Sequence, residues 1–310
     1  GRTPPPALYM PPRLAAPLYF PPCPAMSRYL IIRLMGVIVP LIALGLTYGV
    51  ARREVAVFER HAAADIAAQL QGEHKRVQVK TQFELPFSPL FADIKRGTIA
   101  ASHFETNGLP LFTDPERPRT GRVRNLEIIL HDFTLKGLRI ESLRSSIPEC
   151  RFDRDLALKK RQIRLSKSGI GQGEVRILEQ DLARYIPTKV KEIKECLVKL
   201  DRGKVWVEGY GEFLIAKTRF LVVADLQIED GVRLNLTNAR VVLDWQMADD
   251  LSRKALLDAM NPVVDLQKDL GLLDAFLLES VTCQGGALIA KGQTKIPIRP
   301  QNPPLTREGG

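Results

Sequence analysis

The sequence predicts an α+β protein: one transmembrane helix, then a long, curved antiparallel β-sheet with a few helices packed against it. Three observations carry this. A single charge-free apolar run, Leu34 to Ala51, precedes every segment able to build a folded body. Past Arg76, most segments alternate apolar and polar residues with the period of two expected of half-buried strands. Helical spacing is confined to a few interruptions. The 310 residues, 45% hydrophobic and 26% charged, fit a globular body with a sizeable core.

The first 25 residues hold nine of the 22 prolines and no acidic residue. They are expected to be a disordered head. Met26-Ser27-Arg28-Tyr29 opens like an ordinary signal anchor, so the Pro-rich head is expected to lie upstream of the natural start. As a helix, Leu34–Ala51 would extend about 27 Å, close to the ~30 Å hydrocarbon core of a bilayer. Arg28 and Arg33 before it nearly balance Arg52 and Arg53 after it, so flanking charge votes only weakly on orientation. The short head favours the body outside. An uncleaved anchor over residues 26–53 is expected, with cleavage after the small residues Gly49-Val50-Ala51 as the alternative. This gives a single-pass protein of the cytoplasmic membrane with an extracytoplasmic body over residues 54–300 and a disordered tail over 301–310.

Within the body, Phe58, Ala62, Ile66 and Leu70 mark one apolar stripe on a helix over Val55–Gln71. Val77, Val79, Thr81 and Phe83 mark a strand broken by Pro86 and Pro89. A helical turn is expected through Leu90, Phe91 and Ile94, stopped at Gly97. Strands follow over Thr98–Thr106, Arg122–Leu135, Leu138–Ser146, Ile163–Ser168, Glu174–Ile177, Cys196–Leu200, Lys204–Phe213, Phe220–Ile228, Val232–Leu236, Val281–Gln284 and Ala287–Lys291. Asp201-Arg202-Gly203, Asp230-Gly231 and Gly285-Gly286 are turn signals joining three hairpins. Helices interrupt at Leu178–Ile186, stopped by Pro187, and at Ala248–Leu273, punctuated by Asn261-Pro262 and Gly271. Arg176, Lys204, Glu208, Arg233 and Arg240 are expected to face outward. So few helices leave much of the apolar sheet face uncovered, which a curled sheet can close into an elongated cavity. A solidly packed sandwich is the alternative.

Chemistry-bearing motifs are scarce. His61, His74, His103 and His131 share no metal spacing, and His131-Asp132 reads as a solvated pair. Gly169-Ile170-Gly171-Gln172-Gly173 leads into a strand rather than a helix, so it reads as a bend or bulge and not a phosphate loop. Asp249-Asp250 read as a helix cap. Cys23, Cys150, Cys196 and Cys283 form no CxxC pair, and Cys150–Cys196 is the least implausible disulfide. The sequence thus predicts no catalytic residue, no metal site and no cofactor.

The net charge of +10 points to anionic partners. Lys159, Lys160, Arg161 and Arg164 form the densest basic cluster. A solvated hairpin edge is one reading of it, and a patch for anionic head groups is the other. Nucleic acid is disfavoured because no aromatic side chains interleave there to stack bases.

Leu85-Pro86-Phe87-Ser88-Pro89-Leu90-Phe91 with Gly97, after Ile66-Ala67-Ala68-Gln69-Leu70-Gln71, resembles the LmeA-like phospholipid-binding family of bacterial envelope proteins. The similarity continues through Gly173-Glu174-Val175-Arg176-Ile177, Glu179-Gln180-Asp181-Leu182, Asp230-Gly231-Val232-Arg233-Leu234 and Asn261-Pro262. It spans roughly Val55–Ile298. Ser88-Pro89 and the charged Asp153–Arg161 stretch depart from it. The resemblance implies a curved β-rich fold akin to the tubular lipid-binding superfamily, with no catalytic residue. The resulting expectation is a membrane-anchored protein that shelters phospholipid acyl chains. Phe87, Leu90, Phe91 and Ile94 would form an apolar lip, and Lys159, Lys160, Arg161 and Arg164 would meet head groups. The competing expectation is a packed envelope scaffold that docks another envelope protein and holds no lipid.

Overall fold

The computed structural model describes residues 52–84, 93–160, 162–213 and 216–300. The run Leu34–Ala51 and the segment carrying Phe87, Leu90 and Phe91 lie outside them. Among the described residues, no helix is long and apolar enough to cross a membrane.

The body is mostly strand with a few helices. Helix α1 spans 52–68, and its predicted stripe is real: Ala62, Ile66 and the following Leu70 are buried. Strands β1 (Arg76–Gln82), β2 (Asp93–Thr106), β3 (Gly121–Leu135) and β4 (Leu138–Phe152) come next. After them come α2 (Arg154–Lys160), β5 (Leu165–Lys167), β6 (Gly171–Leu178), α3 (Glu179–Lys189), β7 (Ile193–Asp201), β8 (Lys204–Phe213), β9 (Ala216–Glu229) and β10 (Arg233–Leu243). The remaining elements are β11 (Gln246–Met247), α4 (Asp250–Met260), β12 (Val264–Asp265), β13 (Phe276–Gln284) and β14 (Ala287–Thr294).

These strands form two sheets rather than one. The first has the order β1-β2-β3-β4-β6-β14-β13 with β5 beside β4, and the second β11-β10-β9-β8-β7 with β12 beside β10. Nor is the pairing wholly antiparallel, because β2 and β3 run parallel. A parallel pair needs a crossover of a dozen or more residues. Residues 107–120 supply it, held at Thr113 by hydrogen bonds to Pro297 and Arg299 of the C-terminal segment. Local periodicity identifies strands but not their partners, so both facts escape the sequence.

Three further expectations are corrected. Ile94 and Gly97 belong to β2 and not to a helical turn, with Ile94 opposite Val123 of β3. The basic stretch at Lys159 and Lys160 is the end of α2 and not a hairpin edge. Asp153 caps that helix, accepting from the Leu156 backbone at 3.1 Å. The last helix ends at Met260, where Asn261 turns its side-chain amide onto both backbone groups of Leu236. Its start follows expectation, with the Asp249 side chain accepting from Ser252 N at 2.8 Å.

The glycine run is a close approach and not a bulge. Strand β6 pairs with β4 in unbroken register, and a Cβ on Gly171 would sit 1.9 Å from the Ser146 carbonyl oxygen. The predicted hairpin turns form, with Arg202-Gly203, Asp230-Gly231 and Gly285-Gly286 all at positive φ. Their tips join the sheets: Gly203 N donates to Cys283 O, Gly286 N to Leu200 O, and Leu278 N to Gly231 O. One large apolar cluster then runs between the sheets. A smaller one, holding Ile94, Val123, Cys150 and Phe152, fills the other end of the first sheet. Cys150, Cys196 and Cys283 are unpaired thiols.

Candidate functional site

Between the two sheets the apolar cluster is not filled. A cavity of about 190 Å³ opens there. A dry apolar cavity of ~150 Å³ already takes up benzene. Strands β2, β3, β4 and β6 of the first sheet form one wall. Val198, Val205, Val207, Leu226, Leu234 and Leu236 of the second form the other. Phe104 and Phe133 stack within the first wall, their ring centroids 5.1 Å apart.

The wall's polar side chains decide what the cavity can hold. Among the described residues there are five, Thr106, Ser145, Lys189, Thr294 and Lys295, with no acid. Thr106 Oγ1 donates to Gly108 O at 2.6 Å, and the Ser145 and Thr294 hydroxyls bond each other at 2.6 Å. Lys189 uses its three donors on Pro262 O, Val263 O and the Asp269 carboxylate, and Lys295 pairs with Asp274 at 2.5 Å. Each polar group is thus satisfied within the protein. A ligand in this space meets a wall that is almost wholly hydrocarbon, with each polar side chain already holding a partner.

A second pocket adjoins the first, with a volume of about 330 Å³. Phe58, Ala62 and Asp65 of α1 form one side, and Ile94, Val123 and Phe152 of the first sheet the other. Ile66, Ile99, Pro110 and Leu111 line both pockets and form their shared boundary. This second space carries charge. Arg164 Nη1 donates to Asp65 Oδ2 at 2.8 Å, and Arg299 stands over the Phe112 ring at 5.3 Å while its Nε donates to Asp114 at 3.2 Å. Burial pushes the Asp114 carboxyl up, but the hydrogen bonds from Arg117 and Arg299 outweigh it and hold the pKa below the usual range.

Of the predicted lip, Ile94 lies in the second pocket, 5% exposed, on a strand. Phe87, Leu90 and Phe91 lie outside the described residues. The predicted basic cluster divides. Arg164 lines the second pocket, Lys159 and Lys160 point to solvent from α2 with Lys159 near Asp155, and Arg161 lies outside the described residues. Arg299, missed by the sequence reading, joins Arg164 from 135 positions further along the chain. His131 is exposed, and Asp132 instead meets His103 at 3.4 Å and Arg139 on the outer face of β2 and β3.

An apolar cavity with a satisfied wall, between two sheets and beside a charged pocket, is what an amphiphile requires. The family model of LmeA-like phospholipid-binding proteins matches residues 114–293. The chain belongs to this family. The matched span begins in the β2–β3 crossover and runs into β14, so it covers most of both cavity walls. Ile66 and Leu70, on the α1 side of the cavity, fall before the matched span. No curated protein and no solved structure matches the chain.

Proposed function

We propose that this member of the LmeA-like phospholipid-binding family is a non-enzymatic, membrane-anchored lipid holder. The acyl chains of a phospholipid lie in the cavity between its sheets, for lipid transfer or maintenance in a cell envelope. The body stands on the extracytoplasmic side, tethered by Leu34–Ala51. The observation that carries this is the cavity wall, whose five polar side chains all find partners inside the protein. Each CH₂ moved from water to such a wall contributes ~0.8 kcal/mol, so a chain of ordinary length is held without specific chemistry. The packed-scaffold alternative requires a filled interior, and the open volume speaks against it.

Lipid extraction and mass spectrometry of the purified body, with transfer assays between vesicles, test the proposal. Phospholipid should be recovered from the native protein. Ala290→Phe and Ala101→Phe put a ring into the cavity from positions 4% and 5% exposed. Each should lower recovered lipid about ten-fold or more, at the ~1–3 kcal/mol typical of overpacking. Unchanged recovery in both, or none from the native protein, rejects it.

A further inference from the structure

The two pockets share four residues yet differ in kind, and the difference orients the ligand. We propose that the second pocket is the head-group subsite for an anionic, phosphate-bearing lipid. Its phosphate sits beside Arg164 and Arg299 while an acyl chain passes the shared boundary of Ile66, Ile99, Pro110 and Leu111 into the main cavity. This rests on the lipid-holding function proposed above and adds the polarity of the bound lipid and the charge of its head.

The main cavity offers a head group little, because its lining is almost wholly apolar. Lys189 has its three donors occupied, and the single ammonium of Lys295 is drawn to Asp274. The second pocket is different. Among the described residues its lining holds two arginines, Arg164 paired with Asp65 and Arg299 paired with Asp114, and each planar guanidinium keeps donors beyond its carboxylate. Among the described residues, Arg164 spends only Nη1, on Asp65 and Ile163 O, and no acceptor meets its Nε or Nη2. Arg299 likewise spends only Nε, on Asp114, and its guanidinium is steadied by the Phe112 ring. Planar guanidinium donors match phosphate oxygens geometrically. The Arg164 side chain is 27% exposed, and partial removal from water strengthens its attraction for an anion.

The shared boundary is where a chain would cross. Ile66 comes from α1, Ile99 from β2, and Pro110 and Leu111 from the β2–β3 crossover, all apolar and all facing both spaces. A hydrocarbon chain passes such a boundary without stranding a polar group, whereas a phosphate would lose its hydration there with nothing to replace it. The head therefore stays on the arginine side.

The test uses the full chain with vesicles of phosphatidylglycerol and phosphatidylcholine bearing the same acyl chains, and reads the ratio of the two lipids bound by mass spectrometry. The native protein should enrich phosphatidylglycerol. Arg164→Gln should lower that enrichment roughly five-fold, the effect of one charge near ~1 kcal/mol. R164Q with R299Q should bring it close to the vesicle ratio while total lipid is retained. Asp65→Asn, which removes the competing carboxylate, should move the ratio the opposite way. A fold merely disturbed by substitution would lower both lipids together and could not give these opposite shifts. Excess soluble glycerol phosphate should displace nothing, since it lacks the chain that anchors the head. Lipid bound with the same ratio in native protein and double variant, a D65N ratio that does not rise, or displacement by glycerol phosphate overturns the subsite. Absence of lipid from the native protein rejects the lipid-holding function, and the subsite with it.

Discussion

The same three strands build both pockets, yet one is nearly pure hydrocarbon and the other is charged. Strand β2 gives Ile94 and Gly97 to the second pocket and Ala101 and Phe104 to the main cavity. Strand β3 gives Val123 and Leu126 to one and Leu130 and Phe133 to the other, and β4 divides likewise between Phe152 and Leu143. Along their length these strands present an unchanged apolar face. What changes is the cover. The second sheet covers the main cavity with valines and leucines, whereas α1, the turn before β5 and the C-terminal segment cover the second pocket with Asp65, Gln69, Arg164 and Arg299. Polarity in this fold is set by what lies over the sheet, and irregular segments can carry charge where a sheet face cannot.

The largest effect expected from this contrast is the response to an added charge. Val207 lies on the main wall and is 1% exposed, so Val207→Lys buries an ammonium with no acid among the described lining residues to pair it. It should cost several kcal/mol, enough to prevent folding or to lower the unfolding midpoint steeply. Gln69→Lys puts the same charge at an exposed position of the second pocket and should change stability by no more than about 0.5 kcal/mol. Denaturant unfolding of both variants measures the difference. Equal costs would break the distinction between the two spaces.

A smaller effect probes how the main wall keeps itself satisfied. Ser145 and Thr294 are both buried and each is the other's side-chain partner. Ser145→Ala or Thr294→Val alone strands a hydroxyl and should cost ~1–3 kcal/mol. The double variant removes both groups and should recover most of that cost, a coupling that a double-mutant cycle reads directly. Lipid recovery should be unchanged in the double variant, because the pair faces itself rather than the ligand. A double variant no better than the singles would mean that the hydroxyls do not depend on each other.

Much of this was legible in the sequence. Alternation located most strands, the stripe Ala62–Ile66–Leu70 located the cover of α1, and the turn residues located three hairpins. Helix α2 was hidden because only Ala157 of its described side chains is buried, so it has no stripe. Its one readable signal was the capping Asp153. Strand β4 runs on through Pro148, which lacks an N–H for the ladder and reads as a stop. The arginine pair was half legible. Arg164 belonged to a visible basic cluster, but its approach to Asp65, 99 residues earlier, and to Arg299 is a product of tertiary structure. No local pattern around Arg299 distinguishes it from an ordinary tail residue.

The smallest expected effect asks whether the two ends of the body act as one. Burial raises the thiols of Cys150, in the small cluster beside the second pocket, and of Cys283, in the large cluster, to about 11 each. Burial, with the Asp269 charge, raises Tyr185 to about 12. For an acid whose folded pKa is raised, the unfolded chain loses its proton first. The stabilisation is therefore fully present below the unfolded value near 9 for a thiol and is lost as pH climbs toward about 11. The unfolding midpoint should hold between neutral pH and about 9 and then fall, the tyrosine extending the decline. Because the two thiols share the same raised value, cooperative unfolding predicts that Cys150→Ala and Cys283→Ala each remove an equal share of that alkaline slope. If Cys283→Ala flattens the slope and Cys150→Ala does not, the charged end opens before the apolar one, and the two pockets differ in stability as well as in polarity.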